Sequence, residues 1–321
     1  MSDHERHFFA EADPLGFILF ARNIDTPAQV IQLTQDLRDS VGRPDAPILI
    51  DQEGGRVRRL RPPHWRDALP MRPFGALYDR DPAAGMRALA LNTALQAAEL
   101  KAFGIDVNCA PVLDVPIAGA HDVIGDRAFS HDPAVVATLG RVVIDALRGQ
   151  GVLPVIKHIP GHGRAISDSH LHLPVVGDSQ AILEASDFMP FRAASDAPLA
   201  MTAHILYTAI DPHHVATFSP RVIQSVIRDF MGFNGLLISD DLSMKALSGK
   251  YGERAERALR AGCDVVLHCN GDPVEMAEVV AGCQRLAGDA LQRWQRAAPL
   301  RDVRPAAIAP DAHRELAELL A

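Results

Sequence analysis

The sequence predicts an α/β protein folded as a single (β/α)8-type TIM barrel, with its first N-terminal strand missing or irregular. Three observations carry this expectation. Short apolar runs alternate with helix-like runs along most of the 321 residues, most of the strand-like runs are short and apolar, as buried parallel strands should be, and no linker divides the chain. Seven runs read as strands, at residues 16–20, 47–51, 105–115, 151–156, 199–205, 235–240 and 263–269. Residues 1–321 are therefore expected to form one domain. Within it, 1–13 is an extension with Phe8, Phe9 and little else apolar, and 301–321 is a tail broken by Pro305 and Pro310 that ends in a short helix.

The helices between the strands announce their starts. Thr26-Pro27, Asp81-Pro82, Asp132-Pro133, Ser219-Pro220 and Asp272-Pro273 each place a capping side chain before a proline, whose missing N–H costs nothing in the first helical turn. After Pro27, Val30, Leu33, Leu37 and Val41 keep the helical period, and Gly42 supplies a stop. A second long helix is expected over 83–103, ending at Gly104.

Composition removes several function classes. A net charge of −8 argues against nucleic acid as a partner, because neutralising phosphates takes clustered lysine and arginine. No apolar run approaches the roughly 20 residues that span a bilayer, and the first residues do not read as a signal peptide, so no membrane partner and a cytoplasmic address are expected. Cys109, Cys263, Cys269 and Cys283 lack C-x-x-C spacing and read as reduced thiols, leaving no disulfide and no cysteine metal site. Aromatic residues make up only 5% of the chain, too few for the stacking platforms that long polysaccharides need, which favours a small soluble substrate. The cluster Arg56-Val-Arg58-Arg59-Leu-Arg61 could hold a carboxylate or phosphate on such a substrate, or could simply be a solvated loop.

Chemistry concentrates at the predicted C-terminal ends of the strands, where barrel enzymes gather their reactive groups. Asp51, Asp114, Lys157 with His158, His204, and Asp240 with Asp241 all fall there, and repeated charge at one end of apolar strands is better explained by a shared pocket than by packing. The segment following Lys157 adds His162, Asp168, His170 and His172, and its Pro160, Gly161 and Gly163 prevent a helix. Three readings use this set. Glycoside hydrolysis would take Asp240 as nucleophile and the Asp168-Ser169-His170 pair as proton donor. Metal-dependent hydrolysis would use His158, His162, His170 and His172 as ligands. A sugar-binding barrel without catalysis would leave the acid and base without a task.

The same residues resemble a known family. Lys157-His-Ile-Pro-Gly-His-Gly163 is similar to the K-H-F-P-G-H-G motif of glycoside hydrolase family 3, with isoleucine in place of phenylalanine. Asp51-Gln-Glu-Gly-Gly-Arg-Val57 resembles its D-x-E-G-G-R-V segment, and Ile238-Ser-Asp240-Asp-Leu-Ser-Met244 the nucleophile segment of its bacterial β-N-acetylglucosaminidase branch. Residues 16–23 and Met201-Thr-Ala-His204 fit the same branch. The resemblance implies a retaining exo-β-N-acetylglucosaminidase acting on muropeptides, N-acetylglucosaminyl-1,6-anhydro-muramoyl peptides, in peptidoglycan recycling; no cofactor, no metal and a monomer are expected. It implies Asp240 as nucleophile, His170 as acid/base with Asp168 beside its ring, and Asp51, Arg59, Arg127, Lys157 and His158 as substrate-binding residues. Alternatives stay open for single positions: Asp241 in place of Asp240, since neighbours in a strand face opposite sides, and Arg127 paired merely with Asp126 or Asp122. His162 and His204 are expected to hold backbone or strand ends together.

Overall fold

The computed structural model describes residues 1–119, 121–165, 167, 169 and 172–321. Its strands are β1 (Phe17–Leu19), β2 (Ile48–Ile50), β3 (Val107–Asn108), β4 (Leu153–Ile159), β5 (Val175–Val176), β6 (Leu199–Thr202), β7 (Leu206–Tyr207), β8 (Leu236–Asp241) and β9 (Val265–Leu267). Short β5 and β7 pair with each other; the remaining seven make one sheet in the order β1-β2-β3-β4-β6-β8-β9, every neighbouring pair parallel. These seven coincide with the seven predicted runs.

The sheet is curled. Ile18, Leu49, Val107, Leu153, Val155, Leu199, Met201, Leu236, Ile238, Val265 and Leu267, drawn from all seven strands, share one apolar cluster, which a flat sheet could not bring together. Among the described residues the ladder is open: no pairing joins β9 to β1. Arg22, just after β1, instead donates to the Cys269 carbonyl just after β9. The predicted alternation of strands and helices around a parallel sheet holds, with seven strands in the ladder.

Helices cover the outside: α1 (Asp3–Ala12), α2 (Pro27–Ser40), α3 (Arg72–Arg80), α4 (Pro82–Ala102), α5 (Pro133–Gly149), α6 (Gln180–Ala185), α7 (Met189–Ala193), α8 (Tyr251–Ala261), α9 (Pro273–Ala281), α10 (Gly288–Ala297) and α11 (Ala312–Leu320), with a π-helical stretch at Val222–Phe230. Thr26, Asp81, Asp132 and Asp272 accept N–H groups of the first turns of α2, α4, α5 and α9, and Ser219 accepts the Val222 N–H, as their place before proline predicts. Trp294, Ala297 and Leu300, in and after α10, pack into the end of the inner cluster. Among the described residues no helix is long and apolar enough to cross a membrane.

Two strand boundaries differ from expectation, both at the site. The run 105–115 is a strand only at Val107–Asn108. There the Asn108 side chain takes over ladder bonds, accepting from the Gln52 N–H at 3.1 Å and donating to the Gln52 carbonyl at 3.0 Å, and Pro111 has no N–H to give. Conversely, β4 runs past 156 to Ile159, so Lys157 and His158 stand on a strand instead of opening a loop.

Candidate active site

Alternation along the strands decides which groups face inward. Leu49, Val107, Leu153, Val155, Leu236 and Ile238 fill the inner cluster, and one further step of two places Asp51, Cys109, Lys157 and Asp240 on the same face, at the C-terminal mouth. Burial first, and then the charges of Asp51, Glu53 and Asp240, push the Cys109 thiol up.

Cations and carboxylates interleave at this mouth. Asp51 Oδ1 accepts from Lys157 Nζ at 2.8 Å and Oδ2 from Arg59 Nη2 at 2.9 Å. Burial alone would raise the Asp51 carboxyl; Lys157 and Arg59 overcome it and hold the group well below the usual carboxylate range. Lys157 Nζ also lies 2.7 Å from Glu53 Oε1, and burial, which would lower its pKa, is outweighed by the two carboxylates, which raise it. Arg127 meets Glu53 by a two-pronged contact, Nε to Oε2 and Nη2 to Oε1, both 2.8 Å. The alternative partners Asp122 and Asp126 contact Arg56 instead.

His158 is oriented from below. Its Nδ1 donates to Asp114 Oδ2 at 2.7 Å, which leaves Nε2 3.5 Å from Arg127 Nη2. Fully buried Asp114 also accepts the backbone N–H groups of His158 and His162 at 3.2 and 2.6 Å. Burial pushes its carboxyl up, and His158 and His162 bring it below the ordinary value.

The pair at the end of β8 separates cleanly. Asp241 is consumed by structure: Oδ1 accepts the N–H groups of Ser243 and Cys269, and Oδ2 the Ser243 hydroxyl. Asp240 keeps Oδ1 on the Asp241 N–H at 2.8 Å, and Oδ2 carries no hydrogen bond among the described residues. Burial would raise the Asp240 carboxyl, but His204, His158, the Asp241 N–H and Lys157 bring it below its usual value. His204 spans from Thr217 Oγ1 at 2.7 Å to the Asp241 carbonyl at 3.0 Å, the strand-end role expected of it.

Asp168 and His170 lie outside the described residues. Two neighbours are fixed. Arg164 binds Asp187, Ser186 and Asp178 at the start of the segment, and buried Ser169 places Oγ 3.2 Å from His162 Nε2 and accepts the Ala246 N–H, beyond β8, at 3.2 Å. For the metal reading, His158 is turned to Asp114, His162 to Ser169, and His172 is exposed. Among the described residues no three His, Cys, Asp or Glu side chains are grouped to hold a metal ion. The basic cluster is largely paired: Arg56 is spent on Asp126 and the carbonyls of Asp122, Val123 and Ile124, Arg58 on Asp67 and the Ala68 carbonyl, and Arg59 on Asp51, so of these four arginines Arg61 alone has no carboxylate partner among the described residues. Glu53 was not among the predicted site residues, and Asp114 was placed in the shared pocket without a role of its own. Glu53 was legible, since it stands two positions after Asp51 and therefore on the same face; Asp114 was visible only as a strand-end carboxylate.

The fold and this mouth define an enzyme of the glycoside hydrolase class built on a curled parallel α/β sheet. Comparison with known proteins gives the family. The chain matches the description "Glycosyl hydrolase family 3 N terminal domain" over residues 1–292. A β-hexosaminidase of Alkalilimnicola ehrlichii is 44% identical over 275 residues, 84% of this chain and 78% of that one, and one of Bordetella avium is 39% identical over 304 residues, 92% and 83%. Among solved structures, NagZ from Neisseria gonorrhoeae in complex with N-trifluoroacetyl-D-glucosamine superposes with a TM-score of 0.86 at 32% identity, covering 100% of this chain and 94% of that one. The chain belongs to glycoside hydrolase family 3.

Proposed function

We propose that this enzyme is a retaining β-N-acetylglucosaminidase that removes terminal β-linked N-acetylglucosamine through a covalent glycosyl-enzyme. The observation that carries this reading is Asp240: an inward-facing, ionised carboxylate with one oxygen uncommitted among the described residues, beside a group of cations and carboxylates suited to sugar hydroxyls. In the first step Asp240 attacks the anomeric carbon while His170 gives a proton to the departing oxygen. In the second, His170 takes a proton from water, which attacks the same carbon and releases Asp240. Asp168 is assigned the task of raising the proton affinity of the His170 imidazole. Asp51 accepts from sugar hydroxyls, while Arg59, Arg127, Lys157 and His158 hold the remaining oxygens. This assignment uses two groups, Asp240 and His170, that a purely sugar-binding barrel does not need.

The substrate proposed is a small muropeptide, N-acetylglucosaminyl-1,6-anhydro-muramoyl peptide, cleaved by a cytoplasmic monomer during peptidoglycan recycling. Similarity to β-hexosaminidases and to NagZ supports it, as does the scarcity of aromatic platforms. The test is hydrolysis of an aryl β-N-acetylglucosaminide by the wild type, Asp240→Ala and His170→Ala, each with and without chelator. We expect wild-type turnover indifferent to chelator and its loss in both variants. Loss with chelator would favour the metal reading, and binding without turnover a non-catalytic barrel.

A further inference from the structure

Asp51, Glu53 and Asp240 all stand near the cations of the mouth, and Glu53 has no role in the reaction just described. Glu53 is buried, with its side chain 3% exposed, and its oxygens are taken up by protein. Oε1 receives Arg127 Nη2 at 2.8 Å and Lys157 Nζ at 2.7 Å, and Oε2 receives Arg127 Nε at 2.8 Å. Its partners come from distant stretches: Lys157 from β4, and Arg127 from the short 3-10 turn Gly125–Arg127 in the connection after β3.

The local fold holds Glu53 at this junction. Gln52, pointing the other way, donates to the Leu60 carbonyl at 3.0 Å and accepts the N–H groups of Arg59 and Leu60 at 2.8 and 3.0 Å, while its own N–H is held by Asn108. The Glu53 and Gly54 N–H groups both donate to the Val57 carbonyl, at 2.9 and 3.1 Å. Gly54 has φ +109°, and a Cβ there would stand 2.1 Å from the Leu69 carbonyl oxygen, so only glycine allows this turn. Asp51 and Glu53 consequently leave on one face with a fixed separation.

Their tasks differ. Asp51 binds Lys157 and Arg59 through one oxygen each, and a carboxylate has lone pairs to spare for a ligand. Glu53 instead lies between Arg127 and Lys157. Two cations in a water-poor mouth repel, and each would turn its hydrogens to whatever acceptor was near; the carboxylate between them removes the repulsion and fixes both orientations. Its pKa follows: burial would raise it, but Arg127 and Lys157 bring it down to about 2, so Glu53 stays ionised and cannot act as a proton donor near neutrality.

We infer that Glu53 is a positioning residue for sugar recognition: it orients Arg127 and Lys157 toward the bound sugar without touching the sugar itself. The inference rests on the reading of this mouth as a sugar site. That reading is tested separately by wild-type turnover, and the inference can be read without turnover from the Kd for N-acetylglucosamine.

The test measures kcat and KM on an aryl β-N-acetylglucosaminide, Kd for N-acetylglucosamine and Tm in the wild type, Glu53→Gln, Arg127→Met and the double variant. We expect E53Q to raise KM and Kd by about tenfold or more with a smaller change in kcat, and the same substitution in the R127M background to raise them by only about twofold, because residues acting through one another are non-additive. Equal fold-changes in both backgrounds, or a Tm loss with KM and Kd unchanged, would overturn the inference. Should E53Q not fold alone, Arg127→Gln is compared with the E53Q/R127Q pair, which removes both charges together. KM and Kd within about twofold support the inference, and a larger difference contradicts it.

Discussion

At the scale of single residues, the two adjacent carboxylates of β8 differ in how far the protein itself occupies their oxygens. Asp241 ties the end of β8 to the Ser243 turn and to the Cys269 N–H beyond β9, whereas Asp240 keeps an oxygen uncommitted among the described residues. Asp240→Asn is accordingly expected to lower kcat by at least about a thousandfold with little change in Tm. Asp241→Asn should do the reverse, costing about 1 to 3 kcal/mol in stability through weakened charge-assisted bonds while retaining measurable turnover. Kinetics and thermal melts on the two variants check this, and loss of turnover in D241N at unchanged Tm would exchange the roles. The sequence alone left this choice to family resemblance, because neighbouring aspartates at a strand end have no periodic signature of their own. Contacts from segments far along the chain separate them.

At the scale of elements, β4 and the segments after β3 are fastened to each other, and the mouth depends on that fastening. Asp114 accepts two backbone N–H groups and one ring N–H from the end of β4 and just beyond it. Gly163 lies so close to the other segment that a Cβ would stand 2.0 Å from the Val115 carbonyl oxygen. Gly163→Ala must therefore push these segments apart, and we expect a stability loss of about 2 kcal/mol or more together with reduced turnover. Denaturant midpoints and rates measure both, and an unchanged midpoint would contradict the close approach. The strands were readable because apolar runs and flanking breakers are local features; so were the helix starts, each marked by a cap before proline. Residues 105–115 misled for the opposite reason. Their apolar content is that of a strand, but Asn108 diverts the ladder through its side chain and Pro111 cannot donate, so the segment follows β4 irregularly. Glu53 was missed although its spacing from Asp51 was in plain view, since its partners arrive from elements that sequence order does not bring near.

At the scale of the whole molecule, a curled seven-stranded sheet buries apolar side chains along its inner face and presents charge at one end. Burying ionisable groups there ties stability to pH. His162 is almost fully enclosed, and burial, helped by His158, lowers its pKa to about 4, against about 6.5 for an unfolded histidine. Between those values the unfolded chain binds the proton and the folded chain does not, so this contribution is complete above about pH 6.5 and is lost as pH falls toward about 4. Denaturant midpoints across that window should fall less steeply for His162→Gln than for the wild type, and identical slopes would contradict the assignment. The central claim concerns the bond that Asp240 makes. It is tested most directly by incubating the enzyme with a 5-fluoro-N-acetylglucosaminyl fluoride, a substrate whose covalent intermediate is slow to hydrolyse, and locating the label by peptide mass spectrometry. We predict one sugar on the peptide containing Asp240, absent from Asp240→Asn; a label on Asp241, or turnover without any labelled peptide, would contradict the account.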